Sequence, residues 1–195
     1  MTAADGVVVR ARHLDGKCVY VVDGLFPADL VRLLYETLRE MPFTPDDFDT
    51  DETRNERHLK FEFEPAALSA NPMFRVWRDR IVAKTAELFP ANPIELNRVH
   101  CNNHPYGDLQ YAHVDLTPGL TSLYFANAEW REEWQGETIF YDRAGEPHYA
   151  VAPRPGRVVM FAGDLVHRGG VPSRACGAAR LSVAFKFYTS APDGP

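Results

Sequence analysis

The sequence predicts an all-β core with flanking helices, and two observations support this fold class. Apolar side chains recur at helical spacing in the N-terminal part, and short runs of β-branched and aromatic residues follow from Glu95 onward. The chain has 195 residues, which suffice for one domain and are too few for two ordinary ones. We therefore expect a single domain over residues 1–195, with a helical part at about 1–94 and a β-core at about 95–190, and with the helices packed outside the strands.

Two helices are predicted in the N-terminal part. The first lies between Pro27 and Pro42, where four leucines and a tyrosine recur at helical spacing. The second begins with Asn71 as its N-cap and Pro72 at its first position. The apolar stripes of both helices are expected to face the core. A short strand over residues 19–22 precedes them.

The later strands are predicted from composition and from the turns between them. Valine, isoleucine, threonine and aromatic residues are concentrated in runs that Gly, Pro and Asp separate. The predicted strands cover residues 120–125, 138–141, 158–161 and 180–188. Strands at this spacing indicate a closed or double-layered β structure.

Composition argues against several classes of function. Apolar residues make up 45% of the chain, and no run approaches the roughly 20 apolar residues that a membrane span needs. A net charge of −6 argues against a nucleic-acid partner, because binding to phosphates requires a basic surface. Cys18, Cys101 and Cys176 lack CxxC spacing, which argues against a disulfide framework or a structural zinc site. We expect a cytoplasmic protein, and the sequence does not indicate its oligomeric state.

His113, Val114 and Asp115 form a His-x-Asp triplet in the strand region. In an extended strand, residues two apart project from the same face, so the imidazole and the carboxylate can reach one point. His167, which follows the apolar run 158–161, is the candidate for a third ligand. Two histidines and one carboxylate are the facial ligand set of non-haem Fe(II) oxygenases. The triplet alone is weak evidence, since most such pairs are surface residues or hydrogen-bonded partners.

Arg180 and Ser182 have the same two-residue spacing on the last predicted strand. A guanidinium matches a carboxylate with two parallel hydrogen bonds, and a neighbouring hydroxyl adds a third. The adjoining run 183–185 is apolar, so one face of this strand must be buried. Arg and Lys also outnumber acidic residues over 143–186, which makes a pocket for a small dianion a candidate there.

Residues 106–186 resemble the 2-oxoglutarate/Fe(II)-dependent oxygenase superfamily, in its prolyl-4-hydroxylase-like branch. The matching segments occur in the family's order and at similar separations. They are Tyr106-Gly107-Asp108, His113-Val114-Asp115, residues 123–130 (LYFANAEW), residues 133–138 (EWQGET), residues 153–161 (PRPGRVVMF), His167, and Arg180-Leu181-Ser182.

The resemblance implies a double-stranded β-helix (jelly-roll) with the N-terminal helices packed on the major sheet. It implies Fe(II), 2-oxoglutarate and O₂, with ascorbate as an optional reductant. His113, Asp115 and His167 would bind the iron, and Arg180 with Ser182 would bind the distal carboxylate of 2-oxoglutarate.

Two departures from the family affect the expected 2-oxoglutarate site. Phe125 stands where relatives often carry a tyrosine that contributes to cosubstrate binding, and Tyr106 or Tyr111 could supply the missing phenol. The gap from His167 to Arg180 is longer than in many relatives. Lys186, on the same strand face as Arg180, is therefore a reserve candidate for the carboxylate.

The segment 43–63 is the candidate for substrate specificity. Its many acidic residues indicate a solvated surface or a mobile lid, and within it Arg54, Arg57 and Lys60 could hold an anionic group of a substrate. Trp134 fits a loop that folds over the barrel mouth. Among the other histidines, those of the polar segments, such as His58, are expected to face solvent, and His104 is expected to be a hydrogen-bonded structural residue.

The resemblance implies a hydroxylase that releases succinate and CO₂. Asp115 favours hydroxylation, because related halogenases carry a small residue at that position. The expected substrate is a small molecule, either a free amino acid or a natural-product intermediate, and a prolyl residue of a protein or peptide is the alternative. A cupin-type dioxygenase would usually use three histidines and would have no use for Arg180 and Ser182. A non-enzymatic jelly-roll binding protein is the remaining alternative.

Overall fold

Two antiparallel sheets carry the fold. The structure is a computed structural model that describes residues 6–91 and 93–189, so the ends of the predicted domain lie outside the described residues. The strands are β1 (Val8–Leu14), β2 (Lys17–Asp23), β3 (Thr44–Asp47), β4 (His58–Glu62), β5 (Ile94–His104), β6 (Gly119–Phe125), β7 (Thr138–Tyr141), β8 (Pro147–Val151), β9 (Val158–Ala162), β10 (His167–Gly169) and β11 (Arg180–Thr189).

The major sheet has eight strands in the order β1-β2-β9-β6-β11-β5-β4-β3, and the minor sheet has three in the order β10-β7-β8. The longest pairing joins β11 to β5, with Arg180 opposite His104 and Lys186 opposite Arg98. On its other side, β11 pairs with β6. The predicted all-β core with flanking helices, in a jelly-roll arrangement, is confirmed.

Three helices belong to the N-terminal part: α1 (Ala28–Leu38), α2 (Pro65–Ala70) and α3 (Pro72–Leu88). The side chain of Asn71 caps α3, with its Oδ1 accepting the Met73 N–H at 2.9 Å, as the Asn-Pro pair predicts. Trp77 of α3 is fully buried and packs edge-on against Phe185 of β11, with ring centroids 4.9 Å apart. None of the helices in the described part of the chain has the length and apolar character of a membrane span.

The side chains of the central strands alternate between two cores. One core lies between the helices and the major sheet and includes Tyr124 and Phe185. The other lies between the two sheets and includes Phe125 and Ala184. Because successive strand residues point to opposite faces, the inter-sheet face of β11 also carries Arg180 and the other polar residues described below.

The structure differs from the predictions in two places that matter for the site. The segment 43–63, expected as a solvated surface or a mobile lid, contains β3 and β4, which extend the edge of the major sheet. His113 and Asp115 do not lie in a regular strand as predicted. Their segment is extended and joins β10 only through an isolated bridge between His113 and His167.

Candidate active site

A cavity of about 300 Å³ opens between the two sheets. Its walls come from the inter-sheet face of β11, from β5, from residues 113–116 and from β10. His113, Asp115 and His167 line it together with Arg180, Ser182 and the reserve candidate Lys186, so the structure brings six predicted site residues to one cavity.

The three predicted metal ligands meet at one point of the cavity. One ligand atom from each of His113, Asp115 and His167 lies within 4.8 Å of the other two. Asp115 Oδ1 is 3.7 Å from His113 Nε2, and Asp115 Oδ2 is 3.5 Å from His167 Nε2. The backbone causes this convergence, because His113 and His167 exchange two N–H···O hydrogen bonds of 2.9 Å and Asp115 N–H donates to the Gly163 carbonyl at 2.7 Å.

Backbone carbonyls fix the orientation of both imidazoles. His113 Nδ1 donates to the Tyr111 carbonyl and His167 Nδ1 donates to the Leu165 carbonyl, each at 2.9 Å. Because Nδ1 carries the proton in both rings, Nε2 presents its lone pair to the cavity. Two such nitrogens and one carboxylate are a donor set that fits Fe(II) in a facial arrangement.

The protonation states also suit a cation. Burial lowers the pKa of His167 to about 4, so its imidazole is neutral at pH 7 and able to bind a metal. Burial alone would raise the pKa of Asp115, but the nearby Lys186, His167 and His113 outweigh that effect and hold the pKa below its usual range. Asp115 is therefore an ionised carboxylate.

Arg180 is a buried cation at another part of the cavity, with 1% of its surface exposed. Its guanidinium donates to the Gly136 carbonyl at 2.7 Å, to Thr138 Oγ1 at 2.9 Å and to Ser182 Oγ at 3.2 Å. Gly136 has a φ of 81°, and a Cβ there would lie 3.2 Å from Arg180 Cδ, so glycine permits this close approach.

Burial lowers the pKa of Arg180 to about 10, which leaves it protonated at pH 7. No carboxylate within residues 6–91 and 93–189 forms an ion pair with it, although Glu137 is near enough to favour the charged form. A buried charge without a counter-ion is costly, and the cavity beside it leaves room for an anion.

Comparison with known proteins agrees with this geometry. The family model of the 2OG-Fe(II) oxygenase superfamily matches residues 99–188, which include all three triad residues and both Arg180 and Ser182. The predicted resemblance to this superfamily is confirmed over residues 99–188. The predicted enzyme class and its cofactors, Fe(II) and 2-oxoglutarate, are confirmed. Among curated protein sequences, none matches this chain.

Solved structures share the fold of this chain. A prolyl-4-hydroxylase from Pseudomonas putida aligns with a TM-score of 0.64 and 19% identity over 89% of this chain and 93% of that chain. HygX from Streptomyces hygroscopicus, crystallised with nickel and 2-oxoglutarate, aligns with a TM-score of 0.65 and 16% identity over 87% and 82%. The epimerase SnoN from nogalamycin biosynthesis aligns with a TM-score of 0.63 and 14% identity over 87% and 78%.

The two cations of β11 do not occupy the same place in the cavity. Lys186 is buried and forms an ion pair with Asp115, and its Nζ lies 3.3 Å from Thr121 Oγ1. Six residues of strand separate it from Arg180, which corresponds to about 20 Å. The ion pair with Asp115 therefore places Lys186 beside the candidate metal ligands, whereas Arg180 is hydrogen-bonded to Ser182 and Thr138.

Neither tyrosine offered as the missing phenol lines the cavity. Tyr106 is 58% exposed at a turn, and Tyr111 lies outside the cavity wall. The polar side chains of Gln110 and Thr138 line it instead. Sequence reasoning missed Thr138, although its place at the start of a predicted strand was a usable signal.

The four residues predicted to bind substrate do not line the cavity either. Arg54 is exposed, and Arg57 stacks over the Phe48 ring with its guanidinium carbon 4.9 Å from the centroid. Lys60 is held by Asp46, Asp47 and Glu62 at 3.5–3.8 Å. Trp134 packs edge-on against Trp130 at 5.5 Å. Contacts within the chain therefore explain the positions of Arg57, Lys60 and Trp134, and no substrate contact is needed to explain them.

Proposed function

We propose that this protein is an Fe(II)- and 2-oxoglutarate-dependent dioxygenase that hydroxylates an unactivated C–H bond of a small molecule. The observation that carries the proposal is the shared cavity, in which a two-histidine, one-carboxylate group and a buried, uncompensated arginine face the same space. The first group suits a ferrous ion, and the arginine suits the distal carboxylate of a keto diacid.

Each residue then has a defined task. His113, Asp115 and His167 would hold the iron, which when bound supplies the activation of O₂ that is coupled to the conversion of 2-oxoglutarate to succinate and CO₂. Arg180 would hold the cosubstrate through its guanidinium, with Ser182 and Thr138 keeping that group in place. Phe161, whose ring centroid lies 4.7 Å from that of His167, would help to exclude water from the reacting atoms.

The size and charge of the cavity support a small substrate. Its volume of about 300 Å³, which 2-oxoglutarate would share, is at the lower end of ligand pockets. Arg98 and Lys186 line it on the side of β5 and β11 away from Arg180, and the carboxylates of Asp47 and Asp49 line it as well. A free amino acid, which carries both charges, or another small polar molecule fits this lining. Because the solved neighbours include prolyl-4-hydroxylases, a prolyl residue in a peptide is the second candidate.

We also propose that the described chain acts as one dioxygenase domain. Strands β1 to β4 of the N-terminal part extend the same major sheet that carries β11, which supports one unit rather than two. Cys18, Cys101 and Cys176 are free thiols, which supports the expected cytoplasmic location.

A mass-spectrometric screen for hydroxylated products tests the proposal and would identify the substrate. The protein is incubated with Fe(II), 2-oxoglutarate and a metabolite mixture, and with prolyl peptides in a parallel reaction. The proposal predicts a product 16 mass units heavier from a small molecule, and no such product with His167→Ala, because this variant lacks one iron ligand. A heavier product from the peptides alone would favour the second candidate. Product formed equally by His167→Ala would contradict the assignment of the site.

A further inference from the structure

Asp49 lies next to the predicted iron ligand His113, although 64 residues separate them along the chain. The Asp49 side chain is 5% exposed. Its Oδ2 accepts the backbone N–H of Tyr111 at 2.5 Å, and its Oδ1 lies 3.2 Å from His113 Nδ1. The carbonyl of the same Tyr111 accepts the His113 Nδ1 proton. Asp49 therefore contacts both the imidazole and the residue that orients it.

A hydrogen-bonded chain of three further side chains, those of His58, Asp108 and His104, extends from Asp49. His58, expected to face solvent, is 3% exposed and lies between two carboxylates, with Nε2 3.2 Å from Asp49 Oδ2 and Nδ1 2.6 Å from Asp108 Oδ1. Asp108 Oδ2 is in turn 2.9 Å from His104 Nδ1. We call Asp49, His58, Asp108 and His104 the Asp49 network. It ties the segment between β3 and β4 to the loop that precedes His113.

A histidine cation between two carboxylates stabilises the Asp49 network. Hydrogen bonds from Asp108 and Asp49 raise the pKa of His58 to about 10, so a cation stands between the two carboxylates at pH 7. Burial alone would raise the pKa of Asp49, but the His58 ring and the Tyr111 N–H outweigh it and lower that pKa. Asp49, which also lines the cavity, thus presents its carboxylate to the Nδ1 side of the His113 ring, opposite the Nε2 atom that would bind the metal.

We propose that Asp49 is a positioning residue for the iron, acting through His113. A carboxylate behind a ligating histidine fixes the tautomer and the orientation of the ring and raises the basicity of the ligating nitrogen. The segment between β3 and β4 is then part of the support of the metal site and not only a surface segment. This inference rests on the proposed function, because it requires the metal to bind at His113, Asp115 and His167.

Cobalt(II) binding in the absence of 2-oxoglutarate is the direct test. Dissociation constants are measured from the visible absorption of bound Co(II) for the wild type, Asp49→Asn and the control Asp51→Asn, whose exposed carboxylate lies two residues away. We expect Asp49→Asn to bind Co(II) 10- to 100-fold more weakly, which is typical for the loss of an outer partner of a ligating histidine, and the control to match the wild type. The absorption spectrum of bound Co(II) should also change in Asp49→Asn, which a purely structural role would not produce.

The outcomes separate this inference from the proposed function. If His167→Ala binds Co(II) as tightly as the wild type, the metal does not occupy the triad and the proposed function fails. If the triad binds Co(II) but a folded Asp49→Asn matches the wild type in affinity and spectrum, the role of Asp49 is overturned. Should Asp49→Asn fail to fold, His58→Gln decides, because it keeps Asp49 but removes its cation. A several-fold loss of Co(II) affinity then supports the inference, and an unchanged affinity overturns it.

Discussion

Arg180 shows at the scale of one residue how the site is prepared for an anion. Its guanidinium is fully buried, and among the described residues its hydrogen-bond acceptors are the neutral oxygen atoms of Gly136, Thr138 and Ser182. Hydrogen bonds to neutral groups orient the charge but do not neutralise it. The burial of this charge therefore costs free energy, and a bound carboxylate would offset that cost. This is the behaviour expected of a binding residue rather than of a structural ion pair.

Replacement of Arg180 tests this interpretation. We expect Arg180→Ala to raise the KM for 2-oxoglutarate about 10- to 100-fold, because each charge-assisted hydrogen bond contributes about 1.5–3 kcal/mol. Arg180→Lys should have a smaller effect, since it keeps the charge and loses the planar fork. The KM is measured from succinate formation, with the exposed Arg154→Ala as control. An unchanged KM in Arg180→Ala, together with a raised KM in Lys186→Ala, would transfer the role to Lys186.

At the scale of elements, alternation along β11 could be read from the sequence. The apolar residues of 180–188 alternate with polar ones, and the structure places Arg180 and Ser182 on the inter-sheet face while Val183 and Phe185 join the core beneath the helices. The Asn-Pro start of α3 was equally readable, because capping depends on local chemistry.

Other elements could not be predicted, for identifiable reasons. Strand β3 has the sequence Thr-Pro-Asp-Asp, in which proline and aspartate are disfavoured in strands, and it is held at the sheet edge by β4. His113 and Asp115 were expected on a strand, but only a bridge to β10 keeps their segment extended. The burial of His58 depends on Asp49 and Asp108, and no local pattern indicates that these partners meet.

The stability of the β3–β4 segment should depend on pH through His58. The pKa of this histidine is 6.5 in the unfolded chain and about 10 in the fold, where Asp108, Asp49 and the nearby His104 ring face it. Its contribution to the free energy of unfolding is therefore fully present below pH 6.5 and is lost as the pH rises through about 10.

Urea unfolding at several pH values checks this prediction. The difference in free energy of unfolding between the wild type and His58→Gln should shrink as the pH is raised from about 6.5 to about 10. His148→Gln, at an exposed histidine of β8, is the matched control and should show no such trend. A difference that stays constant across this range would mean that His58 is not held as a cation.

At the scale of the whole molecule, the two sheets bring together groups that are far apart in sequence. The candidate metal ligands come from a loop and from β10 of the minor sheet, whereas Arg180 comes from the centre of the major sheet. The order of the motifs allowed the candidate ligands His113, Asp115 and His167, together with Arg180, to be predicted from the sequence. The Asp49 network could not be predicted from the sequence, because long-range packing alone brings its residues together.

The proposed function requires one site that binds both Fe(II) and 2-oxoglutarate, and succinate formation without any added substrate tests this requirement most directly. The wild type should release succinate only when Fe(II), 2-oxoglutarate and O₂ are all present, and Asp115→Ala should fall to the background rate because the facial ligand set loses its carboxylate. Succinate released by Asp115→Ala at the wild-type rate would contradict the account.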